Sequence, residues 1–332
     1  MTPLDTVLSL SAAGLAVATK ETRRPFVVRG MAANWPAVVA ARQGDDAVSR
    51  YLMGFDGKQP LEAVIAPPAA GGRFFYNDDL SGVNFNRQPV PLENFLEHLL
   101  MLRDKPDAPT LYVQSTPTAD ILPGFARENT VPVLDASIQP RIWIGNKTRV
   151  ATHFDVADNI AVVVSGRRRF ILFPPDQVGN LYVGPLDFTL AGQPVSLADP
   201  LAPDFDHFPK FAEALKHAYV AELDPGDAIY IPSPWWHHVE ALSAFNILVN
   251  SWWRDYPADS GTPFNLLIHG LLALRHLPRE ERAAWRAMLD HYVYEDNGDP
   301  AAHLPGHARS VLGPMTPDLA THLKRWLGKQ LS

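Results

Sequence analysis

Between Thr110 and Trp253 the chain is a succession of short β-rich runs: "TLYVQS", "PRIWIG", "THFDV", "NIAVVVSGRRRFILFPP", "GDAIYIP", "HHVEAL" and "NILVNSWW". Glycine and proline close most of them. Many short strands punctuated in this way bury their apolar faces by closing into a sandwich or barrel, and this stretch therefore limits the fold more than any other. Ser165-Gly166, between two β-rich runs, reads as a hairpin turn, and Pro225-Gly226-Asp227 as a turn feeding a strand.

The flanks differ in texture. Ahead of residue 110, "RPFVVRG" is a β-branched run closed by Gly30, and "GGRFFYNDDLSGVNFN" reads as aromatic strand pieces broken by turn residues. "PLENFLEHLLMLRDK" places Leu92, Phe95, Leu96, Leu99 and Leu100 at helical spacing behind Pro91. The opening "MTPLDTVLSLSAAGLAVATKE" reads as a short helix and not as a signal peptide, because it lacks a basic leading segment and carries Asp5. After Trp253, "TPFNLLIHGLLALRHL", "PREERAAWRAMLDHYVY" and "TPDLATHLKRWLGKQL" are helical, two of them opened by a Thr-Pro pair suited to a helix start. The expected organisation is α+β elements over 1–109 packed on the core, a mainly β barrel core over 110–257, and a helical segment over 258–332, with a boundary near residue 258.

The chain has 332 residues, 46% of them hydrophobic and 20% charged, which is enough to bury a large core as a soluble globular protein. A formal net charge of -7 argues against a broad footprint for nucleic acid or an anionic membrane. No stretch of about 18 apolar residues offers a membrane span. We therefore expect neither nucleic acid nor membrane as partner, and a cytoplasmic location. The absence of cysteine removes disulfides, thiolate metal sites and a cysteine nucleophile, so metal chemistry here must use histidine and carboxylate.

Two stretches offer those ligands. "THFD" carries His153 and Asp155 at i and i+2, positions that share one face of a strand. "PSPWWHHVE" carries the adjacent His237 and His238, of which strand alternation lets at most one look into a given site. Two histidines and one carboxylate on neighbouring strands are the donor set of non-haem Fe(II) oxygenases, with positions left open for other ligands. Zinc would accept the same donors.

In "LYVQS", "HFDVADN", "RRRFILFPPDQ", "FPKF", "PGDAIYIPSPWWHHVEAL" and "VNSWW", in this order and spacing, the chain resembles the JmjC-type, cupin-like oxygenases that use 2-oxoglutarate and Fe(II), and among them the asparaginyl hydroxylases. The resemblance covers most of residues 20 to 255. It implies a double-stranded β-helix (jelly-roll or cupin) core and a metal held by His153, Asp155 and His237, with His238 on the other face as a buried or hydrogen-bonded residue. It also implies 2-oxoglutarate as cosubstrate and O2 as oxidant, giving succinate and carbon dioxide, with no protein nucleophile required.

For the cosubstrate, the resemblance points to Tyr112, Asn159, Arg168, Asn250 and Trp252. Arg168 stands where the asparaginyl hydroxylases carry lysine, and its longer fork demands a differently shaped pocket. Val150 stands where the family often has threonine, so a hydroxyl is missing unless Thr148 or Thr152 replaces it. Arg167 and Arg169 should face away as a solvated or salt-bridged pair, and Trp235, Trp236 and Trp253 are expected in packing. Tyr76, Asp78 and Gln114 are candidates for holding substrate, though each is also an ordinary polar residue.

The reaction expected is hydroxylation of a C–H bond in a protein or peptide side chain, with a small molecule as another possible substrate and demethylation through a hydroxylated product as a variant. Leu266, Leu267, Leu271 and Leu274 give the terminal helices an apolar face; the resemblance implies that they form a homodimer, the alternative being that they only cover the end of the barrel. The competing reading is a non-oxidative metal-binding cupin, a sensor or a sugar- or small-molecule-binding module; a zinc hydrolase would be blind to oxygen.

Overall fold

In the computed structural model, which describes residues 1–8, 12–255 and 260–331, the run Asp158–Ser165 is buried at every position. Ile160, Val162 and Val164 pack on one side of it, against helices; Ala161 and Val163 pack on the other, against a second sheet. A strand covered on both faces reads in sequence as an unbroken apolar run without alternation.

Two compact units divide the chain, Met1–Trp253 and Arg254–Ser332. The boundary expected near residue 258 lies outside the described residues. The first unit opens with β1 (Thr2–Pro3), β2 (Thr6–Leu8), α1 (Ala12–Glu21) and β3 (Phe26–Arg29). It continues through α2 (Pro36–Arg42), α3 (Asp45–Met53), β4 (Leu61–Ala66), β5 (Arg73–Phe74), β6 (Asn86–Val90), α4 (Leu92–Leu102) and β7 (Thr110–Pro117). Two single-turn helices follow, α5 (Thr118–Ile121) and α6 (Phe125–Glu128). Then come β8 (Arg141–Gly145), β9 (Arg149–Phe154), β10 (Asp158–Ser165) and β11 (Arg168–Phe173), α7 (Phe211–Lys216), and β12 (Tyr219–Leu223), β13 (Ala228–Ile231), β14 (Trp236–Ala241) and β15 (Asn246–Trp253).

One sheet has the order β2-β3-β13-β10-β15-β8-β7-β4-β6 and the other β1-β12-β11-β14-β9-β5. From β8 to β15 the chain changes sheet at every step but β11 to β12, which is the winding of a double-stranded β-helix. The expected fold class is therefore observed. Phe170, Leu172, Ile229, Ile231 and Leu248 fill the space between the sheets. The outer face of the larger sheet is covered by α2, α3 and α4 through Val38, Leu52, Phe95 and Leu99, each worth roughly 1.5–3 kcal/mol of burial.

Two local expectations need correction. The first 21 residues are not one helix: Thr2–Pro3 pairs with β12 and Thr6–Leu8 with β3, and the helix begins only at Ala12. Pairing with distant strand edges overrides the local apolar pattern. Ser165-Gly166 is not a hairpin turn, because β10 pairs with β13 and β15 while β11 pairs with β12 and β14. It carries the chain from one sheet to the other. Gly166 has φ 73°, and a Cβ there would fall 2.3 Å from Asn246 Oδ1, so glycine is required on both counts.

The second unit contains α8 (Pro263–Ala273), α9 (Arg279–Tyr292) and α10 (Pro317–Leu331). Thr316 Oγ1 accepts the Leu319 N–H at 3.2 Å, whereas the Thr262 side chain caps nothing. Leu266, Leu267 and Leu271 are exposed and Leu274 is half-buried. No helix among the described residues is long and apolar enough to cross a membrane.

Candidate metal centre and cosubstrate pocket

β9 and β14 are antiparallel neighbours, and His153 is paired directly with His237. Directly opposed residues of an antiparallel pair share a face, so both rings look into the barrel, 4.3 Å apart between centroids. Val239 is paired with Val150, which leaves Ala151 and Thr152 together opposite His238. This β-bulge lets both His153 and Val150 face the pocket, which strict alternation forbids. Asp155 follows the end of β9. One ligand atom from each of His153, Asp155 and His237 lies within 4.8 Å of the others.

Each donor is oriented by a hydrogen bond. His153 Nδ1 lies 2.9 Å from the Ala151 carbonyl and His237 Nδ1 3.1 Å from the Trp235 carbonyl. A carbonyl can only accept, so each Nδ1 carries the proton and each Nε2 keeps a free lone pair. Burial, with His153 beside it, pushes the His237 pKa down to about 4, against the pull of Asp155. The ring is thus neutral and fit to ligate at neutral pH. Asp155 Oδ2 accepts Trp252 Nε1 at 2.9 Å and Asn159 Nδ2 at 3.1 Å, and lies 3.6 Å from His237 Nε2.

The chain of bonds runs further. Asn250 Nδ2 donates to Asn159 Oδ1 at 3.1 Å, and Trp143 Nε1 donates to Asn250 Oδ1 at 2.7 Å. Asp158 accepts Arg23, the Tyr230 hydroxyl and the Ser233 N–H, and so ties the loop before His237 to β10.

Tyr112, Asn159, Arg168, Asn250 and Trp252 line one pocket with the three candidate ligands. Its empty volume is about 420 Å³ with its open mouth included, too small for a folded partner. Val150, Ala161, Phe170, Val239 and Leu248 give it apolar walls. Arg168 is paired with Ala241, four positions along β14 from His237, or about 13 Å along the strand. It is 1% exposed, and its Nε and Nη2 have no partner. Burial lowers its pKa, and burial also pushes the Tyr112 hydroxyl up to about 12 against the pull of Arg168. A buried guanidinium with orphaned nitrogens fits the carboxylate of a bound acid.

The remaining expectations divide. Thr152 is fully buried, its hydroxyl without a hydrogen-bond partner, and neither it nor Thr148 lines the pocket, so the hydroxyl missing at Val150 is not replaced. Tyr76 donates to the Phe188 carbonyl at 2.6 Å and packs in a satellite core; Asp78 is exposed; Gln114 is half-buried; none of the three lines the pocket. His238 is buried on the opposite face, but its two ring nitrogens have no hydrogen-bond partner. Arg167 and Arg169 face outward onto Glu222, at 2.6 and 2.7 Å. Trp235 and Trp236 are buried in the core, and Trp253 stacks on Tyr230. Trp143 was not singled out from the sequence, although its place between Ile142 and Ile144, both in the main core, sets it on the pocket face.

The family described as Cupin-like domain matches residues 17–259. Among individual proteins, the chain is 35% identical over 109 residues to the tRNA wybutosine-synthesizing protein 5 of Danio rerio, covering 33% of this chain and 30% of that one. It is 33% identical over 113 residues to the human HSPB1-associated protein 1, covering 33% and 22%. It is 24% identical over 279 residues to the lysine-specific demethylase JMJ31 of Arabidopsis thaliana, covering 74% and 49%. The chain spans less than half the length of each of these relatives. A tRNA in the name of the first removes the ground for excluding nucleic acid on net charge alone.

Proposed function

We propose, from the premise that the chain belongs to the Cupin-like domain family, that it is a 2-oxoglutarate- and Fe(II)-dependent oxygenase that hydroxylates a C–H bond. Arg168 carries this reading. A cupin that only bound a metal, or a zinc hydrolase, would have no use for a fully buried guanidinium with two unpartnered nitrogens in the pocket of its ion site.

In this reading His153 Nε2, His237 Nε2 and the Asp155 carboxylate would hold iron, and the rest of the pocket serves them. Trp252 and Asn159 fix the Asp155 rotamer. Arg168 and Tyr112 take the far carboxylate of 2-oxoglutarate, and the apolar walls keep water from competing. Iron with 2-oxoglutarate and dioxygen supplies the oxidising power, and the protein positions the C–H bond.

The substrate we favour is a protein or peptide side chain, supported by the demethylase among the relatives. The tRNA-named relative supports a nucleic acid as the competing class. Exposed Leu266, Leu267 and Leu271 on α8 support a homodimer through the second unit. Anaerobic titration of the Fe(II)-loaded chain with 2-oxoglutarate tests the core of this reading. The chelate should develop a charge-transfer absorption, and oxygen should then yield succinate; absence of both with Fe(II) bound would leave the non-oxidative cupin.

A further inference from the structure

Arg141, the first residue of β8, lies on the same face as Trp143, since Ile142 and Ile144 point to the opposite side. It is paired directly with Asn250 of the pocket. Its guanidinium carbon lies 5.7 Å from the centroid of Trp252, the indole that donates to Asp155. The cation therefore stands at the edge of the candidate active site.

One edge of this guanidinium is already held. Nε donates to the Ser115 carbonyl at 2.9 Å and to its hydroxyl at 2.7 Å, and Nη2 donates to the same carbonyl. Ser115 belongs to a bulge in which Gln114 and Ser115 together oppose Trp143, and its φ of 46° is one that serine adopts at a cost of roughly 1–3 kcal/mol. The strained bulge and the arginine thus fix each other. The other edge, at Nη1, has no hydrogen bond or ion pair among the described residues. Asp120, exposed on α5, attracts it only from a distance, and burial lowers the Arg141 pKa. The guanidinium is thus held in place by neutral acceptors along one edge, with its other end left for a further partner.

We infer that Arg141 is a specificity residue and that the substrate is a peptide carrying a carboxylate, of Asp, Glu or a chain terminus, close to the C–H bond attacked. The free end of the guanidinium presents Nη1 and the second Nη2 proton as a fork suited to a carboxylate. The inference rests on the oxygenase reading, and it names the chemistry by which that site selects its substrate.

The test passes the Fe(II)-loaded full chain, kept anaerobic with 2-oxoglutarate, over immobilised peptides made in matched pairs, one member with a fixed Asp or Glu and the other with Asn or Gln. The wild type should retain acidic members about tenfold better, the value of one charge-assisted contact. Arg141→Gln, which can still donate to the Ser115 carbonyl, should lose the preference, and Arg141→Glu should reverse it toward the amide members. Equal retention of acid and amide, a preference that survives in Arg141→Gln, or retention of no peptide overturns the inference. Arg141-dependent retention of a tRNA transcript without any peptide preference overturns the carboxylate in favour of phosphate. The charge-transfer absorption, read on the same samples, separates the two levels: its absence defeats the oxygenase reading, while its presence without acid preference defeats only the role of Arg141.

Discussion

The two ends of the pocket are built on opposite principles. At the ion end every donor is oriented before anything binds: Ala151 and Trp235 carbonyls hold the imidazoles, and Trp252 and Asn159 hold the carboxylate. At the far end Arg168 is buried with two nitrogens unsatisfied. The first end is complete without its ligand in all but the ion; the second is complete only when an anion arrives. Preorganisation lowers what the ion must reorganise, whereas the unsatisfied cation makes the empty pocket costly and the filled one correspondingly favourable.

The largest effect should come from the ion end. His237→Ala should abolish the absorption of the iron and 2-oxoglutarate chelate, and His238→Ala, on the opposite face, should leave it; an unchanged signal in His237→Ala would remove that residue from the ligand set. Arg168→Met comes next and should separate binding from stability. Its affinity for 2-oxoglutarate should fall about a hundredfold, for a loss of about 2.7 kcal/mol, as measured by titration. Its melting temperature without ligand should equal or exceed that of the wild type, because an apolar side chain replaces a buried charge with two unsatisfied nitrogens. A drop in both would mean that its own partners satisfy Arg168 in the empty pocket and that the contrast between the two ends is false.

Acid should act on stability through His237 and His238, both depressed to about 4 mainly by burial. The unfolded chain takes up these protons near pH 6.5 and the folded chain only near pH 4, so the metal-free protein should keep full stability above about pH 6.5. Between those values stability should fall steadily as the pH drops, as followed by denaturant unfolding. His238→Ala should flatten that slope. The smallest expected change is in Trp252→Phe, which removes one of two donors to Asp155 Oδ2 and should weaken Fe(II) binding about tenfold, with little effect on the melting temperature.

The strands between 110 and 253 were legible because their turn residues and their length are local properties. What β10 pairs with was not, since a run buried on both faces shows no alternation and a Ser-Gly turn serves a hairpin and a change of sheet equally. The first eight residues show the same limit, because their strands exist only through the edges of β12 and β3. At the site, His153, Asp155 and His237 stood out as residue types in a recognisable order. The route from Trp143 through Asn250 and Asn159 to Asp155 did not, because it depends on cross-strand register and on which amide oxygen faces which donor. Arg141 escaped notice for the same reason: its neighbours Ser115 and Trp252 come from other strands.

His153 and His237 occupy a single rung of the ladder, with the bulge immediately beyond it absorbing the offset in the remainder of β9. The gap between the two imidazoles is therefore set by backbone pairing and not by any connecting segment. Loops around the mouth can lengthen, shorten or change chemistry from one descendant to the next while the spacing at the centre stays fixed, so new substrates can be tried without retuning the reaction.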